Sequence, residues 1–356
     1  MASGSILRVG VVGADPRGFG ARSHIPAIQE SSILSLHAVC TQHEATAQAA
    51  AERYGVKRWY AGIDSMLDDG EVDLVTIAVR PMFHSALALA AISHDVPVYC
   101  EWPLALNSQQ ARQMAEAAAT RRTPTATGLQ GRFSPVIRDI RDTLSSGEVG
   151  KALSFNASLV QPPFRVDSDR EWLTKSSEAS GALFVASAHL TDMLQFLLGK
   201  INSLVAVVGE SQLEGKHGDD QSTFRWATQD TVQYLAKFAS GASGTVNVTN
   251  TATKPAGFSL QILGDAGQVD VTAPEYPQIS PLTAVISSRS GQVRRSQTEN
   301  AADPTPSTNV KRALESFAHA VLDGADFEPD FATGANLHHI LDAIAESDES
   351  KKWVDV

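Results

Sequence analysis

Three things are scarce in this sequence: cysteine, net positive charge and long apolar runs. Its 356 residues include only two cysteines, Cys40 and Cys100, each at the end of an apolar segment that predicts a strand. Two thiols at such positions argue against a disulfide framework. They predict reduced, buried side chains, as expected of a cytoplasmic protein.

The other two absences limit the possible partners. No apolar run reaches about 18 residues, which argues against a transmembrane helix, and the first residues, MASGSILRVGVVG, lack the basic segment that opens a signal peptide. The net charge of −11 comes without a basic stripe, so neither a membrane nor a nucleic acid is an expected partner. The pair His338-His339 has no second pair of ligands, and no metal site is predicted.

What is present predicts a globular chain with two domains. Hydrophobic residues make up 43% of the sequence and charged residues 19%. In residues 1–128, short apolar runs alternate with helical patterns. The predicted strands are Leu7–Val12, Ser35–Cys40, Asp73–Val79 and Val96–Cys100, and the predicted helices end at Gln29 or cover His43–Arg53, His84–Ile92 and Ser108–Thr120. This alternation predicts an α/β domain with a doubly wound parallel sheet.

Residues 129–356 have a different pattern, in which strands follow one another. They are predicted at Ala152–Val160, Ser203–Val208, Thr231–Phe238, Gly244–Thr249, Ser259–Leu263 and Gln268–Thr272. Short Gly-bearing turns at 239–243 and 264–267 are typical of hairpins, so a largely antiparallel sheet is expected. Helices are predicted at Pro135–Ser145 and His189–Leu198, a polar surface loop at 288–310, and closing helices at Lys311–Leu322 and Gly334–Ser347.

A glycine-rich turn follows the first strand and predicts a dinucleotide site. Against a G-x-G-x-x-G template, Gly13 and Gly18 match the first and third glycines and Asp15 occupies the second. Gly13 would permit a tight turn, Gly18 a close approach of helix and strand, and the helix N-terminus would receive a pyrophosphate. A carboxylate at Asp15 is unfavourable beside phosphate unless it points away, so the loop is expected to follow a modified path.

The ends of later strands supply further candidates for cofactor contact. Thr41 and His43 follow the second strand, where NAD sites usually have an acidic residue and where no arginine is present for a 2′-phosphate. The choice between NAD and NADP therefore stays open, with a slight preference for NADP. Arg80 and His84 follow the strand Asp73–Val79 and should border the cofactor, although His84 could instead begin a helix.

Four motifs carry a resemblance to a known family. Gly20–Ile28, Glu101–Leu104, Gly128–Pro135 and Ser180–Asp192, in this order and spacing, resemble the Gfo/Idh/MocA family over nearly the whole chain. The resemblance implies a Rossmann domain that binds NAD or NADP and a C-terminal α/β domain with a large open, mostly antiparallel sheet. It also implies a small substrate, often a sugar or cyclitol, between the two, and a homodimer or homotetramer.

Two catalytic positions depart from the family pattern. The family's Glu-Lys-Pro is Glu101-Trp102-Pro103 here, and the usual aspartate four residues before the histidine is Val185. An indole donates but cannot accept a proton, and valine does not titrate. This variant resembles the branch that contains the galactose-regulon repressor, which implies binding of a dinucleotide and a protein partner without turnover.

The remaining residues of the motifs still allow catalysis. His189 is the candidate acid–base, since general acid–base assistance contributes roughly 10²–10⁴-fold, although it could merely pack its helix. Asp192 could orient His189 or act as a helix-dipole partner, and Lys175 is a candidate replacement for the missing lysine.

The motif also places two residues near the cofactor. Glu101 is expected near the ribose and nicotinamide, and Trp102 is expected to wall the pocket unless it is ordinary packing.

Three functions follow as hypotheses. The first is an NAD(P)-dependent oxidoreductase acting on a hydroxyl or carbonyl of a sugar-like, cyclitol, glycoside or other small molecule. The second is a catalytically silent, dinucleotide-binding regulatory protein. The third, redox-neutral chemistry through transient oxidation, is the weakest.

Overall fold

The computed structural model of the protein describes residues 6–298 and 306–356. Its chain divides into two compact units, one formed by the described residues of Met1–Gln130 and Thr305–Asn336, the other by those of Gly131–Pro304 and Leu337–Val356. Each unit is organised around its own sheet.

The first unit contains a six-stranded parallel sheet with the order β3-β2-β1-β4-β5-β6. Its strands are β1 (Leu7–Val12), β2 (Leu34–Thr41), β3 (Arg58–Ala61), β4 (Leu74–Ile77), β5 (Val98–Glu101) and β6 (Thr125–Gly128). Its helices are α1 (Ile25–Gln29), α2 (Glu44–Tyr54), α3 (Ile63–Asp68), α4 (Pro81–Ser93) and α5 (Ser108–Arg121). Every residue of β4, β5 and β6 is buried, as expected of parallel strands covered on both faces.

This strand order confirms the predicted doubly wound sheet and locates its switch point between β1 and β4. At such a point the chain leaves neighbouring strands toward opposite faces, and a crevice opens at their carboxyl ends. The short strands β3 and β6 and the helix α3 were not predicted, because each covers only four to six residues and shows no clear apolar period.

The second unit contains a nine-stranded sheet with the order β16-β15-β14-β13-β7-β12-β11-β8-β17. After α6 (Pro135–Ser146) come β7 (Ala152–Val160), α7 (Ala188–Leu198), β8 (Ile201–Gly209), β9 (Glu214–Lys216), β10 (Thr223–Arg225), β11 (Thr231–Phe238), β12 (Ser243–Thr249), β13 (Gly257–Gly264), β14 (Gly267–Ala273), β15 (Thr283–Ser288), β16 (Val293–Gln297) and β17 (Val354–Asp355). The pair β7 and β12 is parallel and the other described pairs of this sheet are antiparallel, so the predicted open, mostly antiparallel sheet is confirmed.

One predicted loop is wrong in part. Residues 288–310 were expected to be irregular, yet Val293–Gln297 is the strand β16, which pairs with β15. Its polar sequence, VRRSQ, lacks the alternating apolar residues that predict a strand. In the structure Arg294 binds carboxylates instead of packing in a core. Residues 299–305 of the predicted loop lie outside the described residues.

The two closing helices are α8 (Ser307–Asp323) and α9 (Phe331–Ser350). The segment from Thr305 to Asn336 groups with the first unit, whereas the predicted division assigned everything after residue 128 to the second domain. Backbone hydrogen bonds explain the grouping, since Thr127 N donates to Pro329 O at 2.8 Å and its hydroxyl donates to Asp330 O at 2.7 Å. Such long-range pairing leaves no mark in the local sequence.

The segment Ser176–Leu198 is long and apolar enough, by composition alone, to cross a membrane, and 78% of its apolar window is buried inside the protein. It includes α7, whose residues Ala188–Leu194 are all buried. The segment is therefore a core element of the second unit.

Candidate functional site

The candidate cofactor residues of the first unit follow the carboxyl ends of β1, β2, β4 and β5. Gly13, Thr41, Arg80 and Trp102 each come within three residues of such an end. Because parallel strands present their carboxyl ends on one edge of the sheet, these four candidate residues lie along the same edge.

The turn after β1 is built on a glycine that no other residue could replace without strain. Gly13 has φ +103°, and a Cβ there would lie 2.4 Å from the carbonyl oxygen of Ala78. Gly20 is constrained by space alone, since its Cβ would lie 2.6 Å from Gly13 O, and neither Gly18 nor Gly20 has φ in the left-handed region. Gly20 was quoted in a family motif but not assigned to the site.

Asp15 shows how the turn accommodates a carboxylate at the middle glycine position. Its Oδ1 accepts a hydrogen bond from Arg17 N at 2.9 Å, and the Arg17 guanidinium lies 3.3 Å from the same atom. Gly18 N donates to Asp15 O at 2.8 Å and closes the turn. The carboxylate is thus engaged by Arg17, and the N–H groups of Arg17 and Gly18 are used within the turn.

The first helix begins as a π-helix, Gly20–His24, before it continues as α1. The first N–H groups of a helix have no partner within it, so this turn presents donors beside the glycines. π-helical turns occur frequently at functional sites.

Thr41 and His43 form a local network at the end of β2. The Thr41 hydroxyl donates to His43 O at 3.0 Å and also contacts the Thr46 hydroxyl at 2.6 Å. His43 is exposed and precedes the first turn of α2. Contact of these residues with a cofactor stays a prediction, as it does for Arg80.

His84, Glu101 and Trp102 are all buried at the end of β4 and β5. His84 Nδ1 lies 2.8 Å from Pro103 O and its Nε2 lies 3.1 Å from Val79 O, and burial lowers its pKa to about 4 although backbone hydrogen bonds with Pro103, Val79 and Leu104 oppose the shift. Glu101 Oε1 lies 2.7 Å from Nε2 of His24, a buried residue that sequence reasoning did not assign. Trp102 is 7% exposed.

In the second unit, His189 is a buried histidine without a polar partner. It is 8% exposed and, within the described residues, makes no hydrogen bond or ion pair. Burial alone lowers its pKa to about 4, so the ring is neutral near pH 7 and both nitrogens are available to a ligand. The residues just before it, Ala182–Ser187, form a π-helix that includes Val185.

Asp192 is bound to Arg132 rather than to His189. Arg132 Nη2 lies 2.6 Å from Asp192 Oδ1, and Arg132 Nε lies 3.0 Å from Oδ2, so the pair is bidentate and buried. Burial raises the pKa of Asp192 and Arg132 opposes the shift. The Asp192 carboxylate is therefore held by Arg132, a residue of the Gly128–Pro135 motif that sequence reasoning did not assign to the site, and the orienting of His189 by Asp192 stays a prediction.

Lys175 lies in an exposed segment and pairs with Glu171 at 3.2 Å. Its side chain is 52% exposed, as is usual for a surface ion pair of little energetic weight. Its role as a replacement for the missing lysine stays a prediction. Among the described residues there is also no group of three or more His, Cys, Asp or Glu side chains arranged to hold a metal ion.

Comparison with known proteins gives relatives over most of the chain. The chain is 26% identical over 340 residues to levoglucosan dehydrogenase of Pseudarthrobacter phenanthrenivorans, covering 87% of this chain and 86% of that protein.

Solved structures share the fold. A levoglucosan dehydrogenase in complex with NADH and levoglucosan matches with a TM-score of 0.84 at 23% identity, covering 99% of this chain and 100% of that one. A super-repressor mutant of Gal80p from Saccharomyces cerevisiae matches with a TM-score of 0.89 at 19% identity, covering 99% and 98%. At these identities the likeness describes the fold alone.

Two family domains match in the order that the motifs predicted. Residues 7–128 match the oxidoreductase family domain with an NAD-binding Rossmann fold, and residues 137–270 match the Gfo/Idh/MocA C-terminal domain. Together these matches cover well over half of the chain. The protein therefore belongs to the Gfo/Idh/MocA oxidoreductase family, and its first unit is the family's NAD-binding Rossmann domain.

Proposed function

We propose that the protein is an NAD-dependent oxidoreductase that interconverts a hydroxyl and a carbonyl group on a small sugar-like, cyclitol or glycoside substrate. The bound nicotinamide would supply hydride transfer. The observation that carries the proposal is the state of His189, a buried, neutral imidazole without a partner among the described residues. A carbohydrate substrate is supported by the relationship to levoglucosan dehydrogenase.

His189 would accept the hydroxyl proton during oxidation and return it during reduction. A neutral imidazole can do so, and a family member that lacks the lysine and the aspartate needs this one group. Because the Asp192 carboxylate is bound to Arg132, it would not stabilise the imidazolium. His189 would then be a weak base that passes its proton on quickly.

Trp102 would form an apolar wall of the pocket and favour a less polar face of the substrate. The pyrophosphate would lie beside the turn Gly13–Gly18 and bind the first N–H groups of the helix that begins at Gly20, because the N–H groups of Gly13, Arg17 and Gly18 already have acceptors. NAD is favoured over NADP because the matching family domain is described as NAD-binding and a matching structure holds NADH. This reverses the slight preference that the β2 end suggested.

The test is a turnover assay with NAD⁺ and NADP⁺ against levoglucosan, myo-inositol, simple sugars, aryl glycosides and aromatic alcohols, followed by absorbance of the reduced nicotinamide. We expect turnover of at least one carbohydrate class with NAD⁺. We expect His189→Asn to lower kcat on the order of 10²–10⁴-fold, with NADH affinity unchanged. The exposed His319→Asn serves as the control, and a His189→Asn protein as active as this control would refute the assignment.

A second candidate is a regulatory protein that binds NAD and a protein partner without turnover. Trp102 and Val185 favour it, since both replace polar groups of the catalytic pattern. Tight NADH binding with no turnover of any class, together with NAD-dependent capture of one defined partner, would select this alternative. Either function is proposed for the cytoplasm.

A further inference from the structure

The Glu101 carboxylate is held by a buried histidine. His24 is fully buried, Glu101 is 6% exposed, and Nε2 of the ring lies 2.7 Å from Glu101 Oε1. Nδ1 of the same ring has no partner within residues 6–298 and 306–356. The tautomer with its proton on Nε2 meets this geometry, since Nε2–H donates to the carboxylate and Nδ1 requires no acceptor.

Close packing leaves the carboxylate little other space. A Cβ at Gly128 would lie 2.5 Å from Glu101 Oε2 and 2.8 Å from its Cα. The Tyr99 ring meets the His24 ring edge-on, with centroids 5.5 Å apart. A shift of the Glu101 carboxylate toward Gly128 would therefore displace β6, and a shift of the His24 ring toward Tyr99 would displace β5.

A second histidine holds the other side of Trp102. His84 is 1% exposed, and its Nδ1 lies 2.8 Å from the carbonyl oxygen of Pro103. The contact of Nε2 with Val79 O is longer, 3.1 Å. A neutral imidazole has one N–H, and the shorter contact assigns it to Nδ1.

We propose that His24 and His84 are positioning residues that fix Trp102 from its two neighbours, one through the Glu101 carboxylate and one through the Pro103 carbonyl. Neither histidine is assigned contact with substrate. The effect on catalysis rests on the proposed function of Trp102 beside the nicotinamide. The effect on the orientation of Trp102 is independent of that proposed function.

Glutamine and asparagine separate the two contacts. The amide nitrogen of glutamine can occupy the place of histidine Nε2, and that of asparagine the place of Nδ1. At position 24, where Nε2 makes the contact, we expect His24→Gln to preserve the wild-type state and His24→Asn to lose it. At position 84, where Nδ1 makes the contact, the order reverses, and His84→Asn preserves what His84→Gln loses.

The readout is fluorine NMR of protein labelled with 5-fluorotryptophan. The sequence has five tryptophans, and the resonance missing from Trp102→Phe identifies Trp102. We expect it to shift or broaden in His24→Asn and His84→Gln and to stay in place in the other two variants. His94→Asn and His94→Gln, at an exposed histidine beside Asp68, are matched controls.

Activity gives a second readout where wild type turns over a substrate. We expect kcat to fall on the order of 10²-fold in His24→Asn and His84→Gln, as a displacement of about 1 Å can cause, with a smaller change in KM. The same amide being tolerated at both positions, or no change in any variant, would overturn the proposal.

Two outcomes are kept apart by the design. The Trp102 resonance of the free protein needs no cofactor, so a wild-type protein that fails to bind NADH refutes the proposed function alone. If neither His24 variant folds, Glu101→Gln tests whether the contact between His24 and residue 101 fixes Trp102. Its amide oxygen still accepts from His24 Nε2, and a displaced Trp102 resonance in it would overturn the proposal.

Discussion

At the scale of single residues, burial decides which polar groups can act. His189 and Asp192 lie one helical turn apart on α7 and are both buried, yet one has no partner among the described residues and the other is held by a guanidinium. The sequence presents the two as equal candidates. Only the contact with Arg132 separates a structural carboxylate from an available imidazole.

The Arg132–Asp192 pair gives a stability prediction. Removal of one partner from a buried pair leaves an uncompensated charge, so Arg132→Leu should lower the free energy of unfolding by about 3–5 kcal/mol. The double variant Arg132→Leu, Asp192→Leu should recover most of that loss. Urea unfolding measures both, with the exposed pair Arg121–Asp95 as comparison, where Arg121→Leu should cost about 1 kcal/mol or less.

The two buried histidines predict a pH dependence of stability. Burial lowers the pKa of His84 and of His189 from 6.5 to about 4. Between these values the unfolded chain binds more protons than the folded one, so stability is lost as the pH falls from about 6.5 to about 4.

Each histidine should contribute a slope on the order of 1.4 kcal/mol per pH unit at most. His189→Asn should reduce the slope measured by denaturant unfolding at several pH values in this window. If the free energy of unfolding changes with pH by the same slope in wild type and in His189→Asn, the lowered pKa of His189 is contradicted.

At the scale of elements, the chain departs from regular geometry where the family motifs lie. The π-helices Gly20–His24 and Ala182–Ser187 each lie next to a residue of interest, the turn at Gly13 in one case and His189 in the other. The sequence predicts a helix at the first place only, because apolar spacing does not distinguish i→i+4 from i→i+5 bonding, and the second π-helix lies before the predicted helix His189–Leu198.

The turn after β1 allows a matched test of two glycines. Gly13→Ala should cost about 1–3 kcal/mol in stability, because φ is +103° and the new Cβ would meet Ala78 O. It should also weaken NADH binding, measured by calorimetry. Gly18→Ala, whose Cβ would lie 3.1 Å from Asp15 O without a positive φ, should cost about 0.5 kcal/mol or less. Equal losses of stability and NADH affinity in the two variants would show that Gly13 has no special role in the turn.

At the scale of the whole molecule, the nine-stranded sheet exposes apolar side chains on one face of β8 and β11. Val207 is 61% exposed and Leu235 is 45% exposed, and polar side chains such as Gln233 and Asn247 hydrogen-bond across neighbouring strands of this face. We propose that a second copy of the chain covers it, in a homodimer or homotetramer.

Light scattering with size exclusion tests this proposal. Val207→Lys with Leu235→Lys should shift the mass toward the monomer, because an apolar contact would be replaced by repulsion between like charges. Leu322→Lys, at an exposed leucine of α8, should leave the mass unchanged. A monomeric wild-type protein would end the proposal.

The sequence by itself determined the doubly wound sheet, the antiparallel second sheet and the family. Alternating apolar runs, hairpin turns and the glycine-rich turn are local signals that persist without the fold. Through its motifs it also named His189, Trp102 and Glu101 as candidate site residues, and their roles stay predictions.

Only the tertiary structure decided which side chains meet. Arg132 and Asp192 are 60 residues apart, His24 and Glu101 are 77 apart, and residues 306–336 group with the first unit. The physical reason is that burial and hydrogen bonding depend on neighbours in space, whereas periodicity reports only neighbours along the chain.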